Sequence, residues 1–102
     1  MIELVSDKIE EISGICRRLA VHRLYVFGSA VSGAFDVVKS DVDFVVEFSE
    51  HSKPGILDRY LNLADGLEVV LRRRVDLVTK ESIRNPYFLK EVDATKEVVY
   101  ES

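Results

Sequence analysis

The stretch "YVFGSAVSGAFDVVKSDVDFVVEF", residues 25–48, decides how this chain folds. It opens as an apolar run and breaks at Gly28-Ser29. Eleven mixed residues later it places Asp41 and Asp43 at the mouth of a second apolar run. The segment "RLYVFG" is rich in β-formers and ends in glycine, so it reads as a short buried strand. "DVDFVVEF", residues 41–48, reads as a second strand, apolar on both faces in its middle, as strands inside a covered sheet are. The connection between them is too long for a tight hairpin, so sequence leaves their relative direction open.

Outward from this pair, the N-terminal side reads as a helix starting near Ser6 or Asp7, both good caps. Ile9, Ile12, Cys16 and Leu19 recur at helical spacing within it. On the C-terminal side, "HSKPG" (51–55) reads as a turn, with Pro54 suited to a first helical turn. From Ile56 to about Leu71, the residues Ile56, Leu57, Tyr60, Leu61, Ala64, Leu67 and Leu71 follow a 3.6-residue period. "RVDLVT" (74–79) is a third strand, and Asn85-Pro86 caps and starts a last helix. Phe88, Leu89, Val92 and Val99 are its expected buried stripe. Helix, strand, helical turn, strand, helix, strand, helix is the order of an α/β layered domain.

The chain has 102 residues, enough for one domain over residues 1–102. Hydrophobic residues make up 47% and charged residues 31%, a globular rather than a disordered balance. A chain of this length leaves much apolar surface uncovered, so a homo- or hetero-oligomer would be natural. The net charge of -4 disfavours direct nucleic-acid binding. No apolar run approaches the roughly 20 residues of a membrane span, and no signal peptide opens the chain, which points to a soluble cytoplasmic protein. The single cysteine, Cys16, sits among apolar helix positions and reads as a core residue.

Asp41 and Asp43 are two apart in a strand, so they project to one face with Cα atoms roughly 6–7 Å apart. Unpaired carboxylates that close repel each other, and burying them is costly. Mg²⁺ resolves the conflict: two carboxylates plus substrate phosphates are its usual setting, and two such ions suit phosphoryl or nucleotidyl transfer. Asp76, in "RVDLV", completes a three-carboxylate site if its strand lies beside 41–48. Gly28-Ser29 adds backbone and hydroxyl donors that suit phosphate oxygens. Neither His22 nor His51 has a second ligand at zinc spacing. No Ser-His-Asp arrangement and no P-loop is present. Arg72-Arg73-Arg74 reads first as a solvated complement to a helix C-terminus, and second as a contact for an acidic partner or phosphates. The four tyrosines read as packing or rim residues.

At these residues the chain resembles the nucleotidyltransferase superfamily related to DNA polymerase beta, and most of all its minimal (MNT) members paired with helical HEPN proteins. "FGSA" at 27–30, "SDVDFVVEF" at 40–48, "VDLV" at 75–78 and the closing "NPYFLKEVDATKEVVYE" at 85–101 carry the likeness. The resemblance implies a small mixed β-sheet backed by helices. It implies two Mg²⁺ ions held by Asp41, Asp43 and Asp76, the last helping to activate an attacking hydroxyl. Gly28 and Ser29, with Ser40 beside the pair, would contact the phosphates of ATP or another nucleoside triphosphate. The implied reaction is transfer of AMP to a hydroxyl, commonly a tyrosine, of a HEPN toxin, which makes the protein a type VII-like antitoxin. The chain departs from the pattern where relatives carry arginine just after Gly-Ser: here stand Ala30, Ser32 and Gly33, with Lys39 as a candidate substitute. That departure favours an alternative, an antitoxin that neutralises by binding alone. Transfer to a small molecule such as an aminoglycoside is disfavoured, because no second domain is present to form its pocket.

Overall fold

A computed structural model describes residues 1–36, 38–49 and 55–102. Helices α1 (Glu3–Ser6), α2 (Ile9–Arg18), α3 (Ser29–Ser32), α4 (Ile56–Leu71) and α5 (Pro86–Thr95) alternate with strands β1 (Val21–Phe27), β2 (Val42–Phe48), β3 (Val75–Thr79) and β4 (Glu97–Glu101). The strands form one mixed sheet in the order β3-β2-β1-β4. β1 runs antiparallel to both β2 and β4, whereas β2 and β3 are parallel. A parallel pair needs a crossover, and α4 supplies it.

The apolar runs of β1 and β2 have partners on both faces. Leu24, Val26, Phe44, Val46 and Phe48 pack with Val5, Ile12, Ile15, Leu63, Leu67 and Leu71, so α1, α2 and α4 cover one face. Phe27 and Val45 point the other way and meet Val92 of α5, with Phe88 edge-on to Phe27 at 5.8 Å between centroids. Cys16 is a core residue with no exposed surface, and burial pushes its thiol up to about 12. Among the described residues, no helix is long and apolar enough to cross a membrane.

Three elements differ from the sequence reading. Val99 belongs to a strand, not to the last helix, which ends at Thr95. There it is buried in the core beside β1. The first long helix starts at Ile9 after Lys8, and neither Ser6 nor Asp7 caps it. Burial of Val5 pulls residues 3–6 into a separate turn whose end those two residues form. In α4, Leu57 and Leu61 are exposed and Leu63 is fully buried, because the helix turns its Ile56–Tyr60–Leu63–Leu67–Leu71 line inward. The expected turn at 51–54 lies outside the described residues. The Asn85 cap is seen as expected: its side chain accepts from the N–H groups of Tyr87 and Phe88.

Arg59 ties the layers together. Its guanidinium donates to the carbonyls of Leu19 (2.8 Å), Ala20 (2.8 Å) and Ser49 (2.7 Å), and it lies 4.9 Å over the Phe48 ring. Two of those carbonyls sit just past the end of α2, where Ala20 adopts a left-handed φ of 55°. Carbonyls at a helix end have no partner within the helix. Hydrogen bonds to a charged group are worth about 1.5–3 kcal/mol each and are not additive, so Arg59→Met should cost about 3 kcal/mol in urea unfolding, and Arg59→Lys less.

Candidate functional site

The site is built at the end of the sheet where β2 and β3 begin. Their parallel register sets Asp43 directly opposite Asp76, between the pairs Val42–Val75 and Phe44–Leu77. Alternation then assigns faces. Phe44 and Val46 point to α2 and α4, so Asp43, like Val45, points to the α5 face, and Asp41 follows two residues earlier. Asp43 is half-buried, whereas Asp41 and Asp76 are exposed.

The carboxyl of Asp43 is held up at about 6, first by burial and then by the neighbouring charges of Asp76, Asp41 and Glu91. Three acids from three elements thus converge on a fourth. Among the described residues, no set of three such groups is drawn tightly enough to hold a metal ion unaided. What the fold provides is a like-charge neighbourhood that a divalent cation would relieve, with room in its coordination shell for phosphate oxygens.

Gly28 presses against this neighbourhood from β1. Its φ of 71° and ψ of -140° suit glycine alone, and a Cβ built there would lie 2.9 Å from Oδ2 of Asp43. The residue therefore has no side chain for two reasons, one of backbone and one of space. Its N–H donates to the Thr95 hydroxyl (3.0 Å), which in turn donates to the Glu91 carbonyl (3.2 Å). These bonds moor the end of α5 to the Gly28 turn and carry Glu91 toward Asp43. Ser29 begins α3 immediately after the turn.

Ser40 stands next to Asp41 and is occupied locally. Its hydroxyl accepts the Asp36 N–H (3.0 Å), and its own N–H donates to the Asp36 carbonyl (2.8 Å). It shapes the loop that delivers Asp41. The arginine run divides: Arg72 is the left-handed cap of α4, while Arg73 lies over Phe35 and donates to the Ser40 carbonyl. Two participants escape sequence reading. Glu91 and Thr95 gain meaning only once α5 docks on the sheet, and no local pattern marks either.

Comparison with known proteins agrees with this fold. A family model described as "Nucleotidyltransferase domain" matches residues 9–100. A Methanocaldococcus jannaschii protein, assigned provisionally as protein adenylyltransferase MJ1379, is 41% identical over 73 residues, covering 72% of this chain and 71% of that one. Protein adenylyltransferase MntA of Thermococcus cleftensis is 37% identical over 90 residues, covering 83% and 87%. A solved structure described provisionally as a minimal nucleotidyltransferase superposes with a TM-score of 0.76 at 28% identity, over 93% of this chain and 92% of that one. A chain from the complex of a tri-AMPylated Shewanella oneidensis HEPN toxin with an MNT antitoxin shares the fold, with a TM-score of 0.65 at 20% identity over 96% and 73%.

The crowding of charge has a measurable cost. A carboxyl whose folded pKa of about 6 exceeds its unfolded value of about 4 favours folding only when protonated. Above pH 6 it is ionised in both states and destabilises the fold; the penalty fades as pH falls from 6 toward 4. Asp43→Asn should therefore raise the melting temperature of the metal-free protein at pH 7.5, with a gain that shrinks toward pH 4. Thermal scans across that range check the sign.

Proposed function

Because this chain belongs to the nucleotidyltransferase domain family, matched by its family model over residues 9–100, we propose that this nucleotidyltransferase moves AMP from ATP to a hydroxyl of a partner protein. The observation that carries the reading is the register that sets Asp43 opposite Asp76, with Gly28 so near that a Cβ there would lie 2.9 Å from the Asp43 carboxylate. A triphosphate seated at the Gly28-Ser29 turn would put its α-phosphorus near these carboxylates. The hydroxyl oxygen of the acceptor attacks that phosphorus, the bond to the β-phosphate oxygen breaks, and pyrophosphate leaves. Asp76, at the exposed margin of the group, receives or directs the hydroxyl proton. Asp41, Asp43 and Asp76 are the residues that would hold Mg²⁺, which when bound neutralises charge on the phosphates and the incoming oxygen. Ser29 and the backbone after Gly28 orient the phosphates, and Ser40 fixes the entry of Asp41.

Two of the relatives above carry the name protein adenylyltransferase, and one structural neighbour comes from a complex with an AMPylated HEPN toxin. By that likeness the acceptor here is a HEPN-type helical protein, modified on a tyrosine and silenced by the modification. A cytoplasmic setting, with ATP and magnesium at hand, suits the chemistry.

One observation favours a second reading. No arginine follows Gly28-Ser29, so the turn lacks the planar cation that would grip a triphosphate. In that reading the chain neutralises its partner by binding alone.

Labelled ATP, Mg²⁺ and a HEPN-type helical protein as acceptor decide between them. Transfer predicts label on the partner and its loss by about 100-fold or more in Asp43→Ala, since metal-mediated charge stabilisation supplies several kcal/mol at the transition state. Equal labelling by the variant rejects the site. If Asp41→Ala and Asp43→Ala neutralise the partner as well as the wild type does, binding alone is the mechanism.

A further inference from the structure

A second polar recess lies beside the carboxylates; it shares Asp41 and Ser40 with the reading above, whereas Lys39, Arg73 and Arg74 have no part in it. It is a cavity of about 300 Å³ between the loop entering β2 and the loop entering β3, lined by Lys39, Ser40, Asp41, Arg73 and Arg74. Among the described residues that line it, Lys39, Arg73 and Arg74 are cationic and Asp41 is a carboxylate. Asp36, Val38, Lys39 and Ser40 are joined by bonds of their own. The Asp36 carboxylate accepts the N–H groups of Val38 (2.8 Å) and Lys39 (3.2 Å), and Ser40 closes the same loop through its hydroxyl and its N–H. Across the recess, Arg73 lies 5.1 Å over the Phe35 ring, and its Nη1 is 3.4 Å from the Ser40 carbonyl. The Arg74 carbonyl accepts the Val42 N–H at 3.2 Å, which ties the start of β3 to β2. The side chains of Lys39 and Arg74 are exposed.

Position gives the recess its meaning. Arg74 precedes Asp76 by two residues, which strand alternation places on the same face. The Gly28-Ser29 turn lies on the β1 side of β2, and the recess lies on the β3 side. A nucleotide held at the turn leaves the recess to the other reactant, whose hydroxyl must reach Asp76. We propose that Lys39, Arg73 and Arg74 form an anion subsite for the acceptor, binding a carboxylate or phosphate group that the acceptor protein carries close to the hydroxyl under attack. Guanidinium forks match either anion. The group is an acidic side chain of the acceptor, or the phosphodiester of a nucleotide already attached to it. What the anion is attached to rests on the adenylyl-transfer reading; the presence of the subsite does not.

Two measurements separate these dependences. In the first, the isotope-labelled, magnesium-free protein is titrated with inorganic phosphate and followed by amide NMR. The expected result is saturable shifts at Lys39, Ser40, Arg73 and Arg74. They should weaken about tenfold or more in the Lys39→Met/Arg74→Met double variant, the loss expected when charge-assisted bonds are removed, and persist in Arg74→Lys. Shifts absent from these amides, or unchanged in the double variant, overturn the subsite whatever the enzyme does. In the second, the double variant is assayed with ATP and the partner protein. The KM for acceptor should rise about tenfold, with the KM for ATP and the melting temperature unchanged. Impairment of the first transfer identifies an acidic side chain, and impairment confined to later additions identifies an attached phosphodiester. A rise in the KM for ATP instead overturns the acceptor assignment. Phosphate shifts in a wild-type protein that transfers no label would remove the transfer reading and leave the anion subsite standing.

Discussion

Two parallel strands cannot be joined by a tight turn, and that constraint organises this molecule. β2 and β3 are neighbours in register, so the chain must leave the sheet, cross one face as α4 and return. The crossover is held by its buried line of Leu63, Leu67 and Leu71, by Arg59 at one end, and by the Tyr60 hydroxyl donating to the Leu77 carbonyl. Because both strands then start at the same end of the sheet, the acids near their starts come together without any contact of their own to favour it. The carboxylates are brought together by apolar burial elsewhere.

The opposite face is covered more lightly. α5 contributes Val92 to a small cluster with Phe27 and Val45, and is moored by Thr95 to the backbone of Gly28. The same helix brings Glu91 toward Asp43, adding a charge to a place already short of counter-charge. A fold selected for stability alone would place a cation or an amide there. The tension is typical of sites where charged groups are arranged for a ligand that completes them.

Much of this was legible in the sequence. β2 and β3 announced themselves through β-branched runs with flanking charges, and Asp43 and Asp76 fall on them in register. Asn85-Pro86 gave a helix start at the right place. The misses have physical causes. Val92 and Val99 are seven apart, which mimics two helical turns, and no glycine or proline separates α5 from β4; only pairing with β1 turns 97–101 into a strand. Leu57 and Leu61 fit the helical period as well as Leu63 does, and which line faces inward depends on the sheet below. Arg59 was invisible for a related reason: its partners lie far away in sequence and are all backbone carbonyls, which carry no residue signature.

The sealing of Cys16 beneath α2 and the sheet has a practical side. With the thiolate form suppressed and the sulfur out of contact with solvent, the native thiol would stay silent toward maleimides and similar reagents. A cysteine installed on an exposed position such as Tyr87 or Val98 would then be the sole reactive handle, so the protein can carry a single fluorophore or spin probe without first being stripped of its natural sulfur.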